Sequence, residues 1–558
     1  MPPTPHPASV TGLHPMTTPH PSSSSARAAR PPACPGLIAL LLMSGCTTPE
    51  VTPEPSPALT ETPQPSPNQT QTPQPSPELT PTPQPSPGSS PTPDPTPTLP
   101  PLPDESPLPG TLPGTLLLGR PSDQSVTVSL LPETALEVYF ELGTEAGHYT
   151  RRTEVFSLAA ATPFLQVFSD LQANQSWYYR VCFRSSGQEA FLADEEHRFH
   201  TQRPDGDSFV FTVQADSHLD NNSDLSLYQI TLQNALLDQP DFHLDLGDTF
   251  MCEKFSEPFT GTVDAASDYA TVEARYVFER SNFGLLTHSV PLFLVNGNHE
   301  GETGWLLNDS AENLPIWATT ARQTYYLNPV PDGFYSGDTV AEPVVGQRAS
   351  YYAWEWGDAL FITLDPYWET DQNPKKGGAW AWTLGDDQYW WLRDTLETSQ
   401  ARFKFIFIHH LLGGVDEQAR GGAEAAPYYE WGGLNADNTW GFDTERPTWG
   451  KPIHTLLVEN GANIVFHGHD HLYVQQSLDG IVYQETPQPS CPNFNNAATL
   501  ATEGGYASGV VLDSSGHLRV TVSQAQAEVD YVRAYRPQDE NGSRHNRDIS
   551  ATYAVLPR

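Results

Sequence analysis

The sequence predicts a large α/β domain over residues 204–558, preceded by a small all-β sandwich over 114–203 and an extended proline-rich tract over 47–113. Three observations carry this. From Ser208 onward, apolar runs of strand length alternate with segments of helical periodicity, the pattern of a mostly parallel sheet with helical crossovers. Residues 114–203 instead show short alternating runs separated by turn residues, the pattern of stacked antiparallel sheets. The 55 prolines crowd towards the N-terminus, where threonine accompanies them and too little apolar surface exists to build a core. A chain of 558 residues also exceeds what one core usually supports, so more than one folded unit is expected.

At the N-terminus, Arg27 and Arg30 precede a short apolar run, Gly36 to Met43, too brief to span a bilayer and followed by Ser44-Gly45-Cys46. Residues 1–46 therefore read as an export signal. Its end resembles the lipobox of bacterial lipoproteins, with Met43 where leucine is usual. That resemblance implies lipidation of Cys46 and an extracytoplasmic protein touching the bacterial cell envelope only through its lipid anchor. A generic secretory signal, leaving the protein secreted, is the other reading. In the next tract, Thr52-Pro53-Glu54-Pro55-Ser56-Pro57 recurs as Thr-Pro-Gln-Pro-Ser-Pro from Thr62, Thr72 and Thr82. Such repeats favour polyproline II and read as a stalk; about 60 residues at roughly 3.1 Å each would reach about 190 Å if fully extended.

Strands are expected in the sandwich at Val126 to Leu130, Leu136 to Leu142, Phe164 to Phe168, Trp177 to Phe183 and His197 to Thr201. The stretch from Leu171 to Val181 resembles the late-strand signature of fibronectin type III modules that precede purple acid phosphatase domains. Trp177 stands at the tyrosine-corner position, where its indole N–H can still donate a hydrogen bond. In the α/β part, Phe209, Phe211 and Val213 lead to Asp216; Leu225, Tyr228, Leu232 and Leu236 recur at helical spacing; and Phe242, Leu244 and Leu246 lead to Asp248. A helix over 266–285 precedes the strand Val290 to Val295, which delivers Asn298. Tyr351 to Trp356 and Ala359 to Leu364 read as a hairpin about Gly357-Asp358. A helix at Gln388 to Leu396 feeds the strand Phe403 to Ile408 and His409, Ile464 to Phe466 ends at the last polar cluster, and residues 505–534 return to β pattern.

The formal charge is -39, from 28 basic and 67 acidic residues, and lysine occurs only at 254, 375, 376, 404 and 451. Counterion release from duplex nucleic acid needs clustered cations, so that partner is excluded. An anionic substrate must be drawn in locally, by charge within a cleft. With Cys34 in the leader and Cys46 assigned to lipid, Cys182, Cys252 and Cys491 remain. A Cys252–Cys491 disulfide and free core thiols fit equally.

Five polar strings close the apolar strands: Asp216-Ser217-His218, Gly247-Asp248, Gly297-Asn298-His299-Glu300, His409-His410 and Gly468-His469-Asp470-His471. They supply imidazoles, carboxylates and one amide oxygen, donors that suit two neighbouring cations drawn from iron, manganese or zinc. In this order they resemble the calcineurin-like metallophosphoesterase superfamily, with a purple acid phosphatase-like arrangement, over most of residues 208–535. The resemblance implies a four-layer αββα sandwich. It assigns Asp216, His218 and His471 to a first metal, Asn298, His409 and His469 to a second, and Asp248 to both. It also implies hydrolysis of phosphate esters by a metal-bridging hydroxide. His299, next to a ligand without being one, fits the proton donor to the leaving group, with Glu300 orienting it from outside the ligand shell. His410 and His467 read as structural neighbours. Met251 stands where purple acid phosphatases have a tyrosine ligand, so no tyrosinate absorption band is expected.

Between the last two strings, residues 411–452 combine glycine pairs, Arg420 and the rings of Tyr428, Tyr429, Trp431, Trp440 and Trp449. One reading is a cover in which Arg420 contacts substrate phosphate; the other is a packed insertion whose rings bury one another. The function expected is that of a dimetal hydrolase acting on a small phosphorylated substrate, most directly a phosphomonoester. A phosphodiesterase or nucleotide hydrolase with the same centre is the alternative, and a non-catalytic surface adhesion protein is a third. The sequence leaves the oligomeric state open.

Overall fold

A computed structural model describes residues 107–253, 265–416 and 418–558. The export signal and nearly all of the proline-rich tract lie outside the described residues. Among those described, no helix is long and apolar enough to cross a membrane.

The α/β part is built on two sheets. One has six strands in the order Leu292–Leu294, Phe242–Asp245, Phe209–Gln214, Gly516–Val522, Ala527–Arg533 and Ile549–Val555. Its first three strands run parallel and the rest antiparallel. The other has eight strands, with Ala359–Thr363, Phe403–Phe407, Ile464–His467 and Ile481–Glu485 parallel at its centre. Side chains alternate across each strand, so the inward faces of both sheets are apolar, while the outer face of the first carries Thr212, Gln214, His243 and Asp245. Phe361, Phe405, Phe407 and Phe466 meet Phe211, Phe242 and Phe293 between the sheets, while Leu360, Ile362, Ile406 and Val465 point outward beneath helices. The inner contact is aromatic: Phe407 stacks on Phe466 at 5.1 Å, and Phe293 on Trp354 at 4.0 Å.

Helices close the two outer faces, which completes the expected four layers. Tyr228 and Leu232 of the helix Leu225–Leu237 and Val272 and Phe283 of the helix Tyr269–Thr287 pack with Leu292 and Leu294 on the first sheet. The helices Asp386–Thr398 and Ile453–Glu459 cover the second. Local chemistry fixes where helices begin. Asp224 accepts from Leu227 N at 2.9 Å, and Asp268 and Thr271 form a capping box.

The preceding β-sandwich has seven-stranded and three-stranded sheets. It starts earlier than expected: Leu108–Pro109 pairs with Leu192–Ala193 and Leu112 is buried in its core, residues that the sequence reading gave to the stalk. Proline is tolerated there because an edge strand does not need its missing N–H. Trp177 packs into the same core, but its indole nitrogen is buried without a hydrogen-bond partner, so it does not act as the expected corner donor. The outer face of the three-stranded sheet rests on the helix Tyr269–Thr287, where Arg280 donates to Ser129 O at 2.8 Å and to Thr115 Oγ1 at 3.1 Å. Cys182, Cys252 and Cys491 are buried free thiols, so the Cys252–Cys491 pair is not formed.

Candidate metal centre

The parallel strands of both sheets end at one edge of the sandwich, and the five polar strings follow those ends. Backbone hydrogen bonds tie the loops together: Asp216 N donates to Gly247 O, His218 N to Asp248 O, and Gly468 N to His409 O, each at 2.9 Å. The turns are tight. Asp216, His218, Asp248, His469 and His471 have φ of 63°, 56°, 53°, 84° and 62°. A side chain in that region costs about 1–2 kcal/mol, so the surrounding fold holds all five against a local preference. Gly297 is required by close approach, because a Cβ there would lie 2.2 Å from Asp248 N and 2.3 Å from its Oδ1.

This edge gathers the candidate ligands into three overlapping groups: Asp216, His218 and His471; His218, Asp248 and His299; and Asp248, His409 and His469. Asp216 Oδ1 lies 3.6 Å from both His218 Nε2 and His471 Nε2. Asp248 Oδ2 is 3.1 Å from His409 Nε2 and 3.7 Å from His218 Nε2, between the two sets. His409 Nε2 and His469 Nδ1 are 3.2 Å apart. Asp216 Oδ1, His218 Nε2 and Asn298 Oδ1 are buried without hydrogen-bond partners. Buried polar atoms are rarely left so, and donors of this mixture fit a pair of cations.

Neighbouring groups fix which atoms are free to ligate. His409 Nδ1 donates to Leu246 O at 2.9 Å, leaving Nε2 for a cation, and His469 Nε2 donates to Gln418 O at 2.7 Å, leaving Nδ1. The second oxygens of the carboxylates are occupied: Asp216 Oδ2 accepts from His469 N and Asp248 Oδ1 from His299 N, both at 2.8 Å. Burial pushes the Asp248 carboxyl up, but the imidazoles of His409, His299 and His218 outweigh it and hold the group well below its ordinary value. Burial likewise opposes charge on His409, yet Asp248 and Asp216 raise it to about 10. Burial and then the His409 charge lower His469 to about 4.

Two orienting roles differ from the sequence reading. Glu300 does not hold His299. It accepts from Thr249 N at 2.7 Å, Gly297 N at 2.7 Å and Asp248 N at 3.1 Å, stapling together the two loops that carry Asp248 and Asn298. Its carboxyl is pushed up to about 7, by burial and then by the Asp248 charge. His299 pairs through Nδ1 with Glu253 instead, and its Nε2 lies 3.8 Å from Asp248 Oδ2. Glu253 sits in an irregular loop, where no spacing rule marks it. His410 belongs to none of the three ligand groups, its ring 4.4 Å from that of Trp382 and 5.2 Å from that of His469, and His467 Nδ1 pairs with Glu485 at 2.6 Å.

A cavity of about 280 Å³ opens beside Asn298, His299 and His469, walled by Trp305, Trp382 and Lys375. Arg420 is not part of its lining; its Nε lies 3.9 Å from Asp470 Oδ1. Within 411–452, Trp431, Phe442 and Trp449 are core residues, while Gln418 reaches His469. The segment is thus largely a packed insertion with one loop at the site.

No protein-family model and no curated protein matches the chain. Solved structures do. The structure of PhoD is 16% identical over 82% of this chain and 92% of its own, with a TM-score of 0.56. Purple acid phosphatase PPD1 from seeds of yellow lupin (Lupinus luteus) is 12% identical over 79% of this chain and 74% of its own, with a TM-score of 0.51. The chain shares the fold of these two structures.

Proposed function

We propose that this chain is a dimetal-dependent hydrolase of phosphate esters, with phosphomonoesters as its first substrate class. The observation that carries the proposal is the chain of three overlapping groups, joined through His218 and Asp248, with buried atoms of Asp216, His218 and Asn298 left without partners. A purely structural cluster would satisfy those atoms internally. The metals are drawn from iron, manganese or zinc, held by Asp216, His218 and His471 on one side and by Asn298, His409 and His469 on the other, with Asp248 shared. When bound, such a pair supplies polarisation of a phosphoryl oxygen and a water made nucleophilic at neutral pH.

The protein's own part is positioning and proton transfer. Glu253 accepts from His299 Nδ1, which directs Nε2 into the cavity side of the cluster as proton donor to the departing alkoxide. Leu246 O and Gln418 O keep His409 and His469 in ligating orientation. On the reading of the sequence before residue 107, the folded part is held outside the cytoplasm by a proline-rich spacer, lipid-anchored at Cys46.

The test is metal analysis and a panel of monoesters, diesters and nucleotides, with protein loaded separately with manganese, iron and zinc. Asp248→Asn is expected to abolish stoichiometric metal binding and turnover together. His299→Asn is expected to lower kcat by about 10²–10⁴ while metal content stays intact. Absence of turnover on every ester, or an Asp248→Asn variant as active as wild type, rejects the proposal.

A further inference from the structure

The cavity beside Asn298 and His469 has a wall that phosphate alone does not need. Trp305 and Trp382 line it, their ring centroids 5.6 Å apart and their planes at 85°. Trp382 is 6% exposed and anchored in the core; Trp305 is only half-buried and completes the wall.

Both indoles are held in place before any substrate arrives. Gly304 N donates to Tyr367 O at 3.0 Å, and a Cβ on Gly304 would lie 2.0 Å from Trp368 O, so the turn carrying Trp305 is pressed against the 367–370 loop. Arg446 Nη2 donates to Trp380 O at 2.9 Å and Trp382 O at 3.2 Å, and its Nε pairs with the buried Glu430 at 2.5 Å. A fixed, partly exposed indole offers flat apolar area at little cost in conformational entropy. The ester's negative charge would meet the cations that the ligand groups would hold and Lys375 at the rim, one of five lysines in a chain of formal charge -39.

From this arrangement we infer that the substrate is a phosphate ester whose leaving group carries a flat aromatic ring, aryl or nucleoside, seated against Trp305. The inference rests on the phosphoesterase reading of the centre and adds the class of alcohol released. Trp305 is a specificity-determining residue that touches the leaving group and not the phosphorus.

The test compares phenyl phosphate, a nucleoside 5′-monophosphate, glucose 6-phosphate and glycerol 3-phosphate on the metal-loaded protein and on Trp305→Leu and Trp305→Phe. Trp305→Leu is expected to raise KM about tenfold for the two aromatic esters and less than about threefold for glycerol phosphate, with Trp305→Phe recovering most of the difference. Binding supplies an independent readout. Wild type is expected to hold phenylphosphonate about tenfold more tightly than methylphosphonate by calorimetry, and Trp305→Leu to lose that preference. Equal KM increases on all esters, a larger effect on the glucose ester than on the aromatic ones, or no phenyl preference in wild type would each overturn the inference. Turnover of glycerol phosphate without an aromatic preference removes this inference alone, whereas absence of turnover on every ester removes the phosphoesterase reading with it.

Discussion

Glu300 is buried and Glu253 half-buried beside the cluster, and they do different work. Glu300 satisfies three backbone N–H groups of the loops that carry Asp248 and Asn298. Glu253 meets His299 Nδ1. Substituting each with glutamine separates the roles. Glu300→Gln offers one oxygen where three donors converge, so metal affinity is expected to fall about 10- to 100-fold. Glu253→Gln is expected to leave metal stoichiometry intact and to reduce kcat about tenfold or more through a mis-set His299. Metal titration and steady-state kinetics on both variants check this, and loss of metal in Glu253→Gln would contradict it. The candidate ligands that the fold gathers were legible because each follows a strand end in a short polar string. Glu253 was not, since its partnership with His299 depends on the path of a loop that lacks any period.

At the scale of elements, the strand and helix alternation from Phe209 to Val295 was readable because its apolar positions recur cleanly; the helix expected over Leu225 to Leu236 spans Leu225–Leu237. The edge strand Ile549–Val555 was missed, since its alternating Ala551, Tyr553 and Val555 are only half-buried against the core and the residues between them are exposed. The seating of the sandwich on the helix Tyr269–Thr287 was equally hidden, because the residue that makes it is a charged one. Arg280 is buried, and besides Ser129 and Thr115 it donates to Tyr325 O. Burial pushes its guanidinium down to about 10, still charged at neutral pH. Arg280→Met leaves the Ser129 and Tyr325 carbonyls without their donor, at about 1–3 kcal/mol each. A loss of about 3 kcal/mol in urea denaturation is expected, with kcat and KM unchanged because the substitution lies outside the metal centre. A variant as stable as wild type would mean that the seating is held by apolar contact alone.

At the scale of the whole molecule, burial of ionisable groups sets an acid response made of opposing parts. Asp245 and Glu485 are raised well above the ordinary carboxylate range by burial, so each favours the folded state at low pH and loses that contribution as pH rises. His243 acts the other way. Burial, and then the charge of His517, lower it from the ordinary imidazole value of 6.5 to about 3; its Nδ1 lies 2.7 Å from Thr212 Oγ1. The folded state keeps this imidazole neutral while the unfolded chain takes up a proton below 6.5, so its stabilisation is complete above that pH and declines as pH falls towards 3. At pH 5 the decline amounts to about 2 kcal/mol, at 1.36 kcal/mol per pH unit. Because the carboxyls pull in the opposite direction, the wild-type profile alone does not reveal it, but a difference does. His243→Leu removes the titration and adds only a pH-independent offset from Thr212. Urea denaturation of both chains in chelator at pH 8 and pH 5 is expected to show wild type losing about 2 kcal/mol more than the variant between the two conditions. Parallel losses would mean that His243 reaches a proton in the folded state, and that the first sheet is less sealed around it than its packing requires.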